Sequence, residues 1–162
     1  MDTELRGNIS TGILAPAGVT RAAGGLIYAL DTHRYCWQLR STEEKWSGTW
    51  GLWGGRSNPK ESPRDTLLRE CQEETGITEW KKIVPLHRYV SKDKKFIYDT
   101  FCLVVEKEFL PVLDHESDGY CWLPLGIQPK PLHHKSKQLV QNSSFMSKLV
   151  NMEKWLDQHV DD

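Results

Sequence analysis

The sequence lacks any long apolar run. Of its 162 residues 38% are hydrophobic, and no stretch approaches the ~18–20 consecutive apolar residues that span a bilayer. We therefore expect no membrane partner. The opening residues, MDTELRGNIS, contain acids and no apolar segment, which predicts a protein without a secretory signal and with a cytoplasmic location.

Closely spaced cysteines and an excess of one charge are also missing. The four cysteines are too far apart in the sequence to form a CxxC pair or a zinc knuckle, which predicts free, buried thiols. Lys and Arg total 21 and Asp and Glu total 22, giving a formal net charge of −1. This balance excludes a protein that binds nucleic acid mainly through bulk positive charge.

Tryptophan, by contrast, is abundant, with seven residues in the chain. Large aromatic side chains usually fill a core, and they also stack against ligand rings. The sequence alone leaves both roles open.

The length and hydrophobic pattern predict one layered α/β domain. Residues 1–23 are polar with scattered Gly and Pro, so we predict an N-terminal arm there and a single domain over residues 24–162. Strand-like segments cover residues 24–30, 35–40, 49–53, 83–90, 95–105 and 120–123, and a Pro-rich loop covers 124–131. A C-terminal amphipathic helix is predicted from the spacing of Phe145, Leu149, Met152, Leu156 and Val160.

A second helix is predicted from its end signals. Ser62 suits the N-cap, Pro63 suits the first helical position, and Asp65 completes a capping box. Gly76 is the expected C-terminal stop.

This helix carries three carboxylates on one face. With about 100° per residue and Glu70 taken as zero, Glu74 falls at about 40° and Glu73 at about 300°. Like charges this close repel, and such a run is either a solvated acidic face or a site for a hard cation such as Mg²⁺ or Mn²⁺. The core-facing stripe, between about 60° and 160°, consists of Leu67, Leu68, Cys71 and Thr75.

The stretch around this helix resembles the Nudix box, Gx5Ex7REUxEExGU, where U is an aliphatic residue. Cys71 occupies the first aliphatic position as a small hydrophobe. The matching residues are Gly55, Glu61, Arg69, Glu70, Glu73, Glu74, Gly76 and Ile77. The resemblance implies an α/β/α sandwich with a mixed β-sheet and a loop–helix–loop catalytic motif. It also implies metal-dependent hydrolysis of a nucleoside diphosphate linked to another group.

The resemblance further implies roles for individual residues. Arg69 would hold a glutamate in place by charge pairing, and Glu61 would bind or orient the metal cluster. The expected ion is Mg²⁺, with Mn²⁺ as the alternative. The implied metal ligands are Glu70, Glu73, Glu74, Glu61 and a carbonyl of Gly54 or Gly55, and the implied catalytic residues are Glu73, Glu70, Arg69 and Glu116.

Three residues outside the box have two interpretations each. Glu116 precedes a segment that resembles the last strand of many Nudix enzymes; it is a ligand or general base, or else a surface acid. Arg40 clamps a substrate phosphate, or it is an exposed charge at a strand end. Trp53 stands where many relatives have Pro, and it either walls a nucleobase pocket or packs the sheet.

The substrate is the weakest inference because markers of the known subfamilies are largely absent. By elimination and size the chain is similar to MutT-like members, which favours a (deoxy)nucleoside triphosphate, including an oxidised one, cleaved to monophosphate and pyrophosphate. ADP-ribose, a nucleotide sugar and a capped RNA 5′ end are the alternatives. A non-catalytic nucleotide sensor is the rival of another class. Either a monomer or a homodimer is expected.

Overall fold

The computed structural model describes residues 18–159. They contain seven strands and three helices, joined by turns and loops. The strands are β1 (Thr20–Ala29), β2 (Arg34–Arg40), β3 (Trp50–Gly51), β4 (Trp53–Arg56), β5 (Lys82–Val90), β6 (Phe96–Val105) and β7 (Ser117–Pro124). The helices are α1 (Pro63–Thr75), α2 (His134–Val140) and α3 (Ser143–Gln158). Within these residues, no helix combines the length and the apolar character needed to cross a bilayer.

Several element boundaries differ from the predicted ones. β1 begins at Thr20, four residues before the predicted strand, so the end of the predicted arm belongs to the sheet. Residues 1–17 of that arm and Val160 lie outside the described residues. The predicted strand over residues 49–53 is two short strands separated by Leu52, and α2 was not predicted.

The sheet is mixed and is organised around β1. β1 runs parallel to β6 over its whole length, with Thr20 opposite Phe96 and Ala29 opposite Val105. Along its other edge, residues 22–25 pair antiparallel with β4 and residues 27–29 pair antiparallel with β2. β7 pairs antiparallel with β2 and β5 with β6. The edge of β1 therefore changes partner at Leu26, where β2 and β4 diverge.

Helices cover both faces of the sheet, which confirms the predicted α/β/α sandwich. On one face α1 packs through Leu67 and Cys71 against Ile27, Trp53 and Leu103. The core on the opposite face is formed against α3 and includes Leu26, Tyr28, Cys102, Phe145, Leu149 and Met152. Strand alternation explains this division, since neighbouring residues of a strand point to opposite faces.

The predicted ends of α1 are confirmed. The Ser62 hydroxyl accepts a hydrogen bond from the backbone N–H of Asp65 at 3.1 Å. Pro63 is the first helical residue. The helix ends at Gly76, whose φ of +77° is a left-handed conformation that glycine adopts without steric strain.

Candidate active site

Helix α1 turns two of its three glutamates toward the sheet. Glu74 is 1% exposed and Glu70 is 8% exposed, whereas the side chain of Glu73 is 54% exposed. On the helical wheel Glu74 lies about 20° from the core-facing stripe and Glu73 lies about 120° from it. Packing of that stripe against β1 and β4 therefore buries Glu74 and leaves Glu73 at the surface.

The carboxylate of Glu74 is only partly hydrogen-bonded. Its Oε1 accepts from the backbone N–H of Gly54 at 3.1 Å and from the Gln38 amide at 3.5 Å. Its Oε2 is buried and has no hydrogen-bond partner among the described residues. Burial, and then the neighbouring Glu70, raise the pKa of Glu74 to about 10. A buried carboxylate oxygen without a donor is a natural ligand for a cation.

Glu70 lies directly against the glycine pair of β4. A Cβ atom on Gly55 would stand 2.5 Å from Oε1 of Glu70, closer than carbon and oxygen atoms approach. A side chain at this position would displace the Glu70 carboxylate from its place against β4.

The third carboxylate comes from the segment that leads into β7. Glu116, Glu70 and Glu74 each have an oxygen within 4.8 Å of the other two. Hydrogen bonds hold the Glu116 backbone on both sides, since its N–H donates to Asp114 and its carbonyl accepts from the N–H of Ser41. Burial, and then the charge of Asp114, raise the pKa of Glu116. We call Glu70, Glu74 and Glu116 the carboxylate cluster.

The carboxylate cluster fits a divalent cation. All of its donors are hard carboxylate oxygens, which Mg²⁺ and Mn²⁺ prefer. The Oε2 of Glu74 gives the cluster a buried oxygen that no described protein group satisfies. Glu73, which was predicted as a ligand, is not part of this cluster and lies at its solvent side.

Glu61 is held by hydrogen bonds from the protein. Arg69 donates to both of its oxygens, from Nε at 2.8 Å and from an Nη at 3.0 Å. The backbone N–H of Asn58 and the hydroxyl of Thr66 donate to Oε1 at 2.9 and 2.8 Å. These donors, above all Arg69, lower the pKa of Glu61 to about 2. Four hydrogen bonds leave Glu61 fixed and charged.

Arg69 links this loop to the helix. Besides Glu61, its guanidinium contacts Glu70 at 3.0 Å and Glu73 at 3.3 Å, and it donates to the carbonyl of Arg56 at 2.8 Å. Arg69 thus pairs with Glu73 as well, but its shorter contacts go to Glu61 and Glu70. Arg69 fixes the position of Glu70 through both charge and geometry.

A cavity of about 730 Å³ lies beside the β4 glycines. Its charged lining residues are cationic, namely Arg40, Lys45 and Lys135, and no Asp or Glu is among the described residues that line it. Its aromatic and histidine lining consists of Trp46, Tyr89, Phe96, Tyr98, His87, His133 and His134. A positively charged cavity therefore adjoins a negatively charged cluster.

Arg40 lies between the cavity and the carboxylate cluster. Its Nε donates to the carbonyl of Lys45 at 2.8 Å, and its guanidinium is 3.9 Å from Glu44, whose carboxylate approaches that of Glu116. Its charge also helps to lower the pKa of His133, another residue that lines the cavity. Arg40 therefore borders the cavity and, through Glu44, approaches Glu116; its role as a phosphate clamp stays a prediction.

Trp53 does not reach the cavity, so its predicted role in a nucleobase pocket is wrong. The side chain is fully buried, and its indole N–H donates to the carbonyl of Cys36 at 3.0 Å. The alternative, packing of the sheet, is correct. Strand alternation puts Trp53 on the α1 face, among the core residues, rather than on the face that lines the cavity.

Sequence reasoning missed two polar residues beneath the cluster. Gln38 is buried in β2, donates to the hydroxyl of Ser117 at 2.7 Å, and reaches Glu74. Its place in the strand could have indicated it. Gln38 lies two residues from Cys36, so both side chains point to the same, core-facing side of β2. A polar side chain at a core-facing strand position indicates a buried polar network.

The NUDIX domain family model matches residues 19–142 of the chain. The chain belongs to the Nudix family. Nudix members are pyrophosphohydrolases of nucleotide derivatives that generally need a divalent metal. The carboxylate cluster supplies oxygen ligands suited to such a metal. The chain is thus a Nudix hydrolase, as its sequence predicted.

Solved structures of other Nudix proteins share the fold. The MutT protein from Methanosarcina mazei is 25% identical with a TM-score of 0.60, and the match covers 84% of this chain and 96% of that one. An Ap4A hydrolase from C. elegans is 20% identical with a TM-score of 0.57, covering 86% and 99%. A MutT/nudix family protein from Enterococcus faecalis is 21% identical with a TM-score of 0.54, covering 64% of this chain and 43% of that protein. A comparison with curated proteins finds no match.

Proposed function

We propose that this Nudix hydrolase is Mg²⁺-dependent and cleaves (deoxy)nucleoside triphosphates, oxidised ones included, to a nucleoside monophosphate and pyrophosphate. The observation that carries the proposal is the cationic cavity directly beside the carboxylate cluster. A nucleoside triphosphate has a planar base at one end and a polyanion at the other. The cavity offers aromatic walls for the first and basic side chains for the second.

The carboxylate cluster alone would repel a polyphosphate. Glu70, Glu74 and Glu116 would hold the ion together with a carbonyl of Gly54 or Gly55, and Mn²⁺ is the alternative to Mg²⁺. When bound, the ion lowers the pKa of a water molecule and neutralises charge on the phosphates. A bound divalent cation would therefore allow an anionic substrate to approach the carboxylate cluster.

The protein's own groups then orient the reactants. Arg69 holds Glu70 from one side while Gly55 leaves room for it on the other. Arg40 offers guanidinium N–H groups to a phosphate. Glu116 comes from outside the box helix and meets Glu70 and Glu74 in the carboxylate cluster. It is our candidate for the general base, and Glu70 is the second.

The test is a hydrolysis panel with Mg²⁺. The panel contains the four common nucleoside triphosphates with ribose and deoxyribose, 8-oxo-dGTP, ADP-ribose, a nucleotide sugar and capped RNA. Diadenosine tetraphosphate is added because one structural neighbour is an Ap4A hydrolase. We expect the triphosphates to have the highest kcat/KM, with monophosphate and pyrophosphate as products.

Two controls make the panel decisive. Glu116→Gln keeps the shape of the side chain and removes its charge, so it should lower kcat by about 10²-fold or more if Glu116 is the base. Omission of metal should abolish turnover. Higher kcat/KM for ADP-ribose, a nucleotide sugar, capped RNA or the dinucleotide would refute the proposed substrate, and turnover without any divalent ion would refute the mechanism.

A further inference from the structure

Trp46 is a large aromatic side chain that packing does not account for. It is 56% exposed, although it lines the cavity. Its backbone φ of +60° is left-handed, a conformation that is unfavourable for residues with a bulky side chain. Two hydrogen bonds from Thr49 to the Trp46 carbonyl, at 2.6 and 3.3 Å, hold this turn in place. A strained and exposed aromatic residue inside a cavity indicates a role in ligand contact.

Two histidine rings lie against Trp46. The ring of His134 is 4.6 Å from the indole between centroids, and the ring of His133 is 5.9 Å from it with an interplanar angle of 73°. The two histidine rings are stacked at 4.4 Å. We call Trp46, His133 and His134 the aromatic corner. Its three rings come from the β2–β3 loop and from the start of α2.

His133 contributes an uncharged hydrogen-bond donor to this corner. Its Nδ1 accepts from the backbone N–H of Lys135 at 3.1 Å, as the N-cap of α2. Because an accepting Nδ1 carries no proton, the proton of the neutral ring is on Nε2. Burial, and then the neighbouring charges of His134 and Arg40, lower the pKa of His133 to about 4. The Nε2–H is therefore present throughout the neutral pH range.

The position of the corner suits a base rather than a phosphate or a metal. Arg40 lies between the carboxylate cluster and the corner, so a phosphate at Arg40 leaves the rest of a nucleotide on the cavity side. A metal is a poor fit, because His133 already uses Nδ1 for its own helix and no acid or cysteine lines the cavity among the described residues. Stacked rings with one neutral donor match a planar heterocycle.

We propose that the aromatic corner is the nucleobase subsite, in which Trp46 stacks on the base and the Nε2–H of His133 donates to one of its acceptor atoms. This assignment rests on the proposed function, since it takes the substrate to be a nucleotide. It adds that recognition of the base is separate from recognition of the phosphates. Base contacts lie at the corner, and phosphate contacts lie at Arg40 and the carboxylate cluster.

Equilibrium binding tests the subsite without turnover. The probes are an α,β-methylene nucleoside triphosphate and the same compound with hydrogen in place of the base, each titrated calorimetrically in Mg²⁺. Trp46→Ala should weaken binding of the base-bearing probe by roughly tenfold to a hundredfold and leave the base-free probe unchanged. Trp46→Phe should retain most of the affinity, because a stacking ring remains.

The other variants separate the parts of the corner. His133→Asn keeps a side-chain oxygen that can cap α2 and removes the ring, so it should weaken the base-bearing probe by roughly two- to tenfold. Trp80→Ala is the matched control, since Trp80 is 40% exposed and lies outside the cavity. It should change neither affinity.

The outcomes distinguish the subsite from the proposed function. Equal binding of both probes by the wild-type protein, or equal weakening of both by Trp46→Ala, would overturn the subsite. If the alanine variant folds poorly, Trp46→Phe takes its place. Equal weakening of both probes by Trp46→Phe would also overturn the subsite. Hydrolysis of nucleoside triphosphates by the same wild-type preparation tests the proposed function separately, so turnover without base-dependent binding refutes only the subsite.

Discussion

Replacing Glu74 with glutamine should stabilise the metal-free protein and inactivate it at the same time. Glu74 is buried, one of its oxygens has no donor, and Glu70 and Glu116 approach it with the same charge. Glutamine has the same shape and keeps an oxygen for the N–H of Gly54. The substitution therefore removes the cost of protonating this group on folding and leaves the packing intact.

The sign of the effect follows from the pKa of Glu74. Its value in the folded protein, about 10, lies above that of an unfolded glutamate, so the folded state binds the extra proton. Without metal, this carboxyl group favours folding fully below about pH 4.5, and its contribution is lost as the pH rises toward 10. Each unit of difference between the folded and unfolded pKa corresponds to about 1.4 kcal/mol of unfolding free energy. After allowance for relaxation, we expect Glu74→Gln to gain about 2–4 kcal/mol at pH 8.

Thermal unfolding in EDTA and in Mg²⁺ measures this gain. For a domain of this size, a gain of 2–4 kcal/mol raises Tm by roughly 5–15 °C. Mg²⁺ at ten times its dissociation constant should stabilise the wild-type protein by about 1.4 kcal/mol, and it should stabilise Glu74→Gln much less. Turnover of the variant should fall by at least two orders of magnitude, because a ligand is lost. Glu79→Gln, at an exposed position, is the matched control.

Two results would refute this reasoning. A lower Tm for Glu74→Gln in EDTA would mean that the carboxylate is well compensated in the folded protein. Equal stabilisation of both proteins by Mg²⁺ would mean that Glu74 does not contact the ion.

Two further substitutions test the groups around the cluster. Arg69→Lys keeps the positive charge but loses the paired contacts with Glu61. We therefore expect a loss of kcat and about 1–3 kcal/mol of destabilisation, measured by urea unfolding. Unchanged stability and kcat would exclude the orienting role. Acid titration of the same variant should show less stability lost between about pH 4.5 and pH 2, because Glu61 no longer has its lowered pKa. Arg40→Gln should raise KM for triphosphates tenfold or more and become less sensitive to salt than the wild type, whereas an unchanged KM would exclude the phosphate clamp.

Local sequence signals predicted α1 and its acids well. Ser62 and Gly76 act within a few residues of the helix ends, so their effect is visible in the sequence. The angular positions of Glu73 and Glu74 were also available, but both lie close to Glu70, on opposite sides of it, which concealed their difference. What separates them is which side of α1 meets the sheet, and the core-facing stripe already indicates that side.

Contacts between distant segments could not be predicted in the same way. The burial of Trp53 depends on the register between β4 and β1, and the place of Trp46 depends on α2, which no strong periodicity indicates. His133 caps α2 through its ring nitrogen, a use that the usual capping residues do not suggest. These features arise from packing between elements, which the periodicity of one segment does not contain.

The strand pairing also determines when the carboxylate cluster forms during folding. Glu70 and Glu74 are adjacent as soon as α1 exists, but Glu116 joins them only when β7 has paired with β2. Such non-local pairing brings together residues about 80 positions apart and is intrinsically slow. The mutual repulsion of the three carboxylates is therefore absent from partly folded chains and arises as the native sheet closes. A cation that relieves this repulsion binds only chains in which β7 has already paired with β2, so it favours the closed sheet.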